Sequence, residues 1–333
     1  MRTEDFAYDL PEAAIAQTPV EPRDAARLLV DRGPDEAPED HTVADLPSLV
    51  RPGDLLVVND TRVIPARLRL AKSTGGAVEV LLAERTGDRE WAALVRPSRR
   101  VPPGTVLEGD GDEVLLVGDT VGDGERSVRL LGDEEPLALV HRLGTLPLPP
   151  YITTALDDPE RYQTVFARRP GSAAAPTAGL HLTPNVLDRC VAAGATVAEV
   201  DLEVGLGTFA PIRAERVEDH TVHTERYVIP ETTVHAIERA ERVIAVGTTV
   251  VRALESWSAT GAPAGTTDLF IRRGHEFARV DVLLTNFHVP RSSLLVLVDA
   301  FVGDRWRDLY ATALGRGYRF LSFGDAMLLE RAP

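Results

Sequence analysis

The sequence predicts an α/β protein, with a mixed-sheet main domain interrupted by an all-β, barrel-like insert. Three observations carry this expectation. The run LLVVN (55–59) is continuously apolar and ends in polar residues, as a strand buried on both faces does. From about residue 64 to 139, short β-prone runs alternate with Gly, Asp and Pro turns and show little helical period. After Pro150, strands and helices alternate, the signature of a layered α/β architecture. The main domain is therefore expected to span 1–63 and 146–333, and the insert 64–145.

The elements follow in order. VEVLLA, WAALVR and EVLLVG are insert strands, and Asp123-Gly124 marks a hairpin. Residues 184–193 form a helix with Thr183 as N-cap and Pro184 at its first position. TVAEVDLEV is a strand, ETTVHAIERAE a helix and VIAVG a second buried strand. A helix over 248–257 starts where that strand ends. VDVLLTNF is a strand, SSLLVLVDAF and DRWRDLYATAL are helices, and YRFLSF is a last strand.

At 333 residues and 44% hydrophobic composition, the chain can build two cores. No run of 18 apolar residues exists to span a membrane as a helix, and MRTEDFAYDLPE lacks the apolar core of a secretory signal. The single cysteine, Cys190, shares a helix face with Val186 and reads as a buried structural thiol. One cysteine allows no internal disulfide, which suits a reducing cytoplasm. The net charge of −15 argues against a large phosphate-binding surface. The exceptions are local: Arg96, Arg99 and Arg100, then Arg168 and Arg169, then Arg272 and Arg273. Lys72 is the only lysine.

Several polar groups stand where ligands are held in open α/β sheets, just past the ends of strands. Asn59, Asp60, Thr61 and Arg62 follow the first buried strand. Asp60 could accept from hydroxyls or an amine and Arg62 could fork onto an oxyanion, or the two could simply fix a turn. Gly247, Thr248 and Thr249, and likewise Thr285, Asn286 and His288, end strands ahead of helix N-termini. Those termini favour anions, although ordinary capping explains them equally. Gly205, Gly207 and Thr208 form a glycine-bearing turn that imitates a nucleotide-binding loop without its helix. His220, His223, Glu225 and Tyr227 fall on an expected strand. There His223, Glu225 and Tyr227 share a face, and a His–Glu pair is suited to proton transfer. A third ligand for zinc is missing nearby, so no metal is expected. Asp268, in TDLFI, is a strand-edge acid.

One segment is distinctive as a whole: RYQTVFARRPGSAAAPTAGLHLT (161–183). Its PTAGLH, holding Thr177, Gly179 and His181, resembles a hallmark of the S-adenosylmethionine:tRNA ribosyltransferase-isomerase family of the queuosine pathway. The likeness runs in order along the chain. It includes DFAYDLPEAAIAQTPVEPRDAARLLV (5–30), RPGDLLVVNDTRVIPARL (51–68), LPLPPYI (146–152), VGLGTFAPI (204–212), HTVHTERYVIP (220–230), VIAVGTTVVRALES (243–256), LLTNFHVPRSSLLVLVDAFVG (283–303) and GYRFLSFGDAMLL (317–329). The resemblance implies an enzyme that moves and isomerises the ribosyl group of S-adenosylmethionine onto 7-aminomethyl-7-deazaguanine in tRNA. Epoxyqueuosine forms, and adenine and methionine leave. It also implies a monomeric cytoplasmic protein, with S-adenosylmethionine as co-substrate and no metal.

On this reading His181, His223, Glu225, His288 and Asp60 form the catalytic set. Arg62, Thr177, Gly179, Gly205, Gly207, Thr208, Tyr227, Thr248, Thr249, Asp268 and Asn286 bind substrate. Two departures stand out: Glu203 replaces a usual histidine, and Arg272-Arg273 replaces a usual tyrosine-proline. These departures and the acidic charge keep alternatives open: a paralogue acting on a free deazapurine or other small molecule, or a non-catalytic RNA-binding homologue. A methyltransferase, resting on EVGLG alone, is a weaker one.

Overall fold

The computed structural model describes residues 1–122, 124–205, 211–222 and 224–332. The chain divides into two compact units, one of residues 1–61, 150–169 and 175–333, the other of 62–149 and 170–174. The second unit thus takes in 62–63, 146–149 and 170–174 besides the residues expected of the insert.

The first unit is built on a nine-stranded sheet. Its strand order is Ala264–Thr267, Glu225–Val228, Thr196–Leu202, Asp54–Asn59, Arg242–Val246, Val282–Asn286, Ala326–Glu330, Arg27–Asp31 and Glu39–Thr42. The four strands from Thr196–Leu202 to Val282–Asn286 are parallel. Ala326–Glu330 runs against them, and the edge pairs are antiparallel. All six residues of Asp54–Asn59 are buried, as its apolar run requires. On one face, Leu56, Val58, Ile244, Val246 and Leu284 pack with Val186 and Cys190 of the Pro184–Ala192 helix. That helix begins as its sequence dictates, with the Thr183 hydroxyl accepting from the Val186 amide at 3.2 Å. Burial pushes the Cys190 thiol up to about 11, so it is an inert core group.

The parallel strands end on one edge of the sheet at Leu202, Asn59, Val246 and Asn286, and this edge positions the site. Helices begin just beyond two of them, Thr248–Thr260 after Gly247 and Ser293–Val302 after its N-cap Ser292.

The second unit is a closed antiparallel barrel of six strands. Arg67–Lys72 pairs with Ala77–Arg85 on one side and Val106–Gly109 on the other, which leaves no open edge. The expected hairpin joins Asp112–Gly122 to Glu125–Leu130, although its turn residue Asp123 lies outside the described residues. A helix, Pro136–Leu143, follows.

YRFLSF is not a strand. Leu321 takes φ +70°, and the Gly324 amide turns back to the Leu321 carbonyl at 2.9 Å. Asp325 accepts from the Arg319 and Arg27 amides, tying off this loop. The last strand is Ala326–Glu330, because AMLLE supplies the unbroken apolar run that YRFLSF lacks. The expected strand through His220 also starts later, at Glu225. His220 instead follows a short 3₁₀ turn, Val217–Asp219. Among the described residues no helix is long and apolar enough to cross a membrane.

Candidate active site

PTAGLH folds as a buried 3₁₀ turn, Thr177–His181, against the end of Val282–Asn286. The Thr177 hydroxyl donates to Asn286 Oδ1 at 2.8 Å, which orients the amide so that Asn286 Nδ2 donates to His181 Nε2 at 3.0 Å. His181 Nε2 is therefore an acceptor, and its proton resides on Nδ1. Burial, reinforced by Arg319, Arg161 and Arg23, lowers the His181 pKa to about 4.

Two positions on, His288 Nε2 meets the Thr285 hydroxyl at 2.9 Å. The His288 backbone is clamped by two tyrosines. Its amide donates to the Tyr310 hydroxyl at 2.9 Å, and its carbonyl accepts from Tyr8. Burial alone brings the His288 pKa down to about 3. Both imidazoles are neutral at pH 7 and serve as fixed hydrogen-bonding groups.

A cavity of about 320 Å³, partly open to solvent, gathers Thr177, Thr248, Thr249, Thr285, Asn286 and His288. Gly247 lines it with φ +94°, a conformation L side chains rarely take, and the helix starts just beyond at Thr248. Thr177, Asn286 and His288 also line a neighbouring space of about 270 Å³ with Tyr151, Ser292 and Ser322. A third cavity, about 500 Å³, holds Gly205, His220, Glu225, Arg252 and Phe270, and shares Leu294 with the first.

Glu225 sits at the base of that third cavity. It is ion-paired with buried Arg252 and accepts from the Gly205 amide at 3.0 Å. Arg252 also donates to the carbonyls of Leu269 and Thr267. The expected His223–Glu225 pairing lies partly outside the described residues, as do Gly207 and Thr208. What is described gives Glu225 a guanidinium partner, which anchors the strand.

Asp60 is buried at 1% exposure, and neither carboxylate oxygen has a hydrogen-bond partner. Arg169 and Arg168 lie 3.5 and 3.7 Å from Oδ2. Burial raises its pKa against the pull of these arginines. Asp201, on the adjoining strand, is raised to about 6 by burial and by the charges of Asp60 and Glu203. A carboxyl raised in this way keeps its proton to a higher pH than a free one. Sequence reasoning missed Asp201 and Arg252. The alternation Glu199, Asp201, Glu203 along one strand face was the available signal for the first, and no local signal marked the second.

Other expectations shift. Tyr227 is buried, and its hydroxyl donates to the Ala262 carbonyl at 2.9 Å, so it packs the sheet edge instead of facing a cavity. Gly179 is required by packing, since a Cβ there would meet Phe166 at 2.7 Å. Asp268 is exposed just past Ala264–Thr267. Arg62 belongs to the second unit. Two expected basic patches are partly neutralised. Arg168 pairs with Glu199, and Arg273 forks onto Asp299 and Asp304 at 2.6 and 2.8 Å. Glu203, at the first departure, pairs with Arg226 at 3.2 Å.

The parallel-sheet edge, two neutral imidazoles and two helix N-termini define an α/β enzyme with its cleft at the carboxyl ends of the strands. Comparisons narrow this. The family described as Queuosine biosynthesis protein matches residues 3–329. The S-adenosylmethionine:tRNA ribosyltransferase-isomerase of Rubrobacter xylanophilus is 53% identical over 331 residues, 99% of this chain and 98% of its own. That of Gloeobacter violaceus is 51% identical over 339 residues, 98% and 95% of the two chains. The crystal structure of S-adenosylmethionine tRNA ribosyltransferase from Thermotoga maritima is similar with a TM-score of 0.56 at 37% identity, covering 97% of this chain and 99% of that one. The chain belongs to the queuosine biosynthesis protein family.

Proposed function

We propose that the protein is a cytoplasmic enzyme that transfers and isomerises the ribosyl moiety of S-adenosylmethionine onto 7-aminomethyl-7-deazaguanine in tRNA, releasing adenine and methionine. The observation that carries this reading is the match along essentially the whole chain, which includes every segment of the cleft.

The chemistry needs a proton acceptor near the sulfonium-activated carbon, a donor to assist adenine departure and an uncharged amine as nucleophile. The sulfonium already acidifies its neighbouring carbon. The residues supply the rest. The helix that opens at Thr248 and Thr249 beside the cavity favours an anionic group of a substrate. Asn286, held by Thr177, fixes His181 in one tautomer, and the Thr285 hydroxyl, able to donate or accept, orients the His288 ring. Asp60 and Asp201 form the proton sink for the incoming ammonium, since a carboxyl pair sharing a buried site holds one proton near neutral pH. Glu225 and Arg252 act by position, holding Gly205 at the lining of the third cavity.

The test is incubation with S-adenosylmethionine and a tRNA bearing 7-aminomethyl-7-deazaguanine, followed by chromatography for free adenine. Adenine released only with that tRNA supports the reading. Release with a free deazapurine and none with tRNA overturns the acceptor, and silence with both overturns the reaction.

A further inference from the structure

If two of the expected basic patches are spent on carboxylates, an acidic protein of this kind still needs a place for an oxyanion of its substrates. Three arginines from distant parts of the chain meet behind His181. A cavity of about 220 Å³ is lined by Arg23, Arg161, His181, Ser322 and Phe323, with Arg319 within electrostatic reach of the same histidine.

Their partners are mostly uncharged carbonyls. Arg23 donates to the carbonyls of Gln163 at 2.8 Å, Leu180 at 3.2 Å and Glu160 at 2.9 Å. Arg319 donates to those of Thr18 and Phe323. Arg161 donates to the Val20 carbonyl at 2.7 Å, and its Nε is buried. Glu21 makes an ion contact with that Nε at 2.6 Å, from a side chain 70% exposed. Asp158 and Glu160 stand near Arg23 with exposed side chains. A guanidinium carries five donors in a planar fork, so each arginine keeps unused donors. Arg23 and Arg161 repel one another, which further favours an anion between them.

We propose that this cavity is an oxyanion subsite, in which Arg161 and Arg23 hold a phosphate or carboxylate group, with Glu21 displaced outward and Arg319 adding positive charge nearby. It rests on the proposed reading only for the source of the anion, which is a tRNA backbone phosphate or the carboxylate of S-adenosylmethionine. The site adjoins the catalytic cleft through His181, whose ring lines this cavity while its Nε2 accepts from Asn286. A seated anion therefore screens the three guanidiniums and makes His181 easier to protonate.

Inorganic phosphate, titrated against chloride at matched ionic strength, tests the site without turnover. The wild type is expected to show a saturable rise in Tm and an upward move of the His181 imidazole titration followed by NMR. Both responses vanish in Arg161→Gln and Arg319→Gln and persist in Arg161→Lys. Kinetics then identify the source. A KM for tRNA raised about 10- to 100-fold in Arg161→Gln, with a salt slope shallower by about one, marks a backbone phosphate. The same rise in the KM for S-adenosylmethionine marks its carboxylate. No saturable phosphate response in the wild type, or an undiminished one in the glutamine variants, overturns the site. Phosphate binding with both KM values unchanged overturns it as a substrate site. Should the glutamine variants fail to fold, the wild-type titration and Arg161→Lys still decide. Absence of adenine release from the wild type would sink the functional reading while leaving the phosphate result standing.

Discussion

The α/β unit and the barrel differ in how many charged side chains they bury. Among the described residues of the barrel between 62 and 149, the one buried charged side chain is Arg126. Its guanidinium is satisfied by carbonyls, Gly118 from Nε at 3.0 Å and Val101 from Nη1 at 2.8 Å. In the α/β unit, Asp60, Asp201, His181, Asn286, His288, Glu225 and Arg252 are all buried, most of them where the parallel strands end. Burying Asp60 with no hydrogen bond is unfavourable, since Arg168 and Arg169 make only ion contacts with it, at 3.7 and 3.5 Å. The comparison teaches that the barrel's interior is arranged for stability and the sheet's carboxyl edge for chemistry.

The largest expected effect is on turnover. His288→Ala and Asn286→Ala should each lower adenine release by about 10²- to 10⁴-fold while the protein remains folded by circular dichroism. A loss under tenfold would break the assignment of chemistry to this edge. Next is the buried ion pair. Glu225→Ala leaves Arg252 uncompensated and should destabilise by about 3–5 kcal/mol in urea unfolding, whereas an unchanged midpoint would show the pair to be dispensable.

Asp201→Asn sharpens the contrast because its sign is opposite. The folded pKa of Asp201 is raised to about 6, so the folded state holds its proton more tightly and stability falls as pH rises from about 4 to 6. The asparagine variant should be about 1–3 kcal/mol more stable than wild type at pH 7, with the gap closed near pH 4 and turnover reduced. Equal stability at both pH values would remove Asp201 from the strained set. The smallest effect belongs to the barrel. Arg126→Met should cost about 1–3 kcal/mol by leaving carbonyls unpaired, with kcat unchanged below its Tm.

Much of the fold is legible from residue order. LLVVN (55–59), VIAVG (243–247) and LLTN (283–286) are strands because continuous apolar runs bounded by polar residues suit only a twice-covered sheet. Thr183-Pro184 and Ser292 start helices by local capping chemistry. YRFLSF misleads because its β-prone residues pack as an aromatic group, with Phe320 stacked on Phe287 at 4.5 Å, without a ladder. Aromatic packing and strand pairing draw on the same residue types.

The site is legible in part. PTAGLH and TNFH bring His181, Asn286 and His288 forward from sequence, and the structure joins His181 to Asn286 and His288 to Thr285 by hydrogen bonds. Glu225 is visible, but its partner is not. Arg252 lies on another element, and nothing local ties it to a strand 27 residues earlier. Asp201 needs burial beside Asp60 to become unusual, and burial is a property of packing.

By itself, the sequence determined the alternation of elements, the barrel's turn-rich texture, the helix caps and the family. All of these rest on local periodicity, local hydrogen bonding or uninterrupted motif order. Only the tertiary structure decided which charges are paired, which carboxyls are desolvated and which arginines converge behind His181. Those depend on through-space distance and exclusion of water, which residues 23, 161 and 319 acquire together only once the chain has folded.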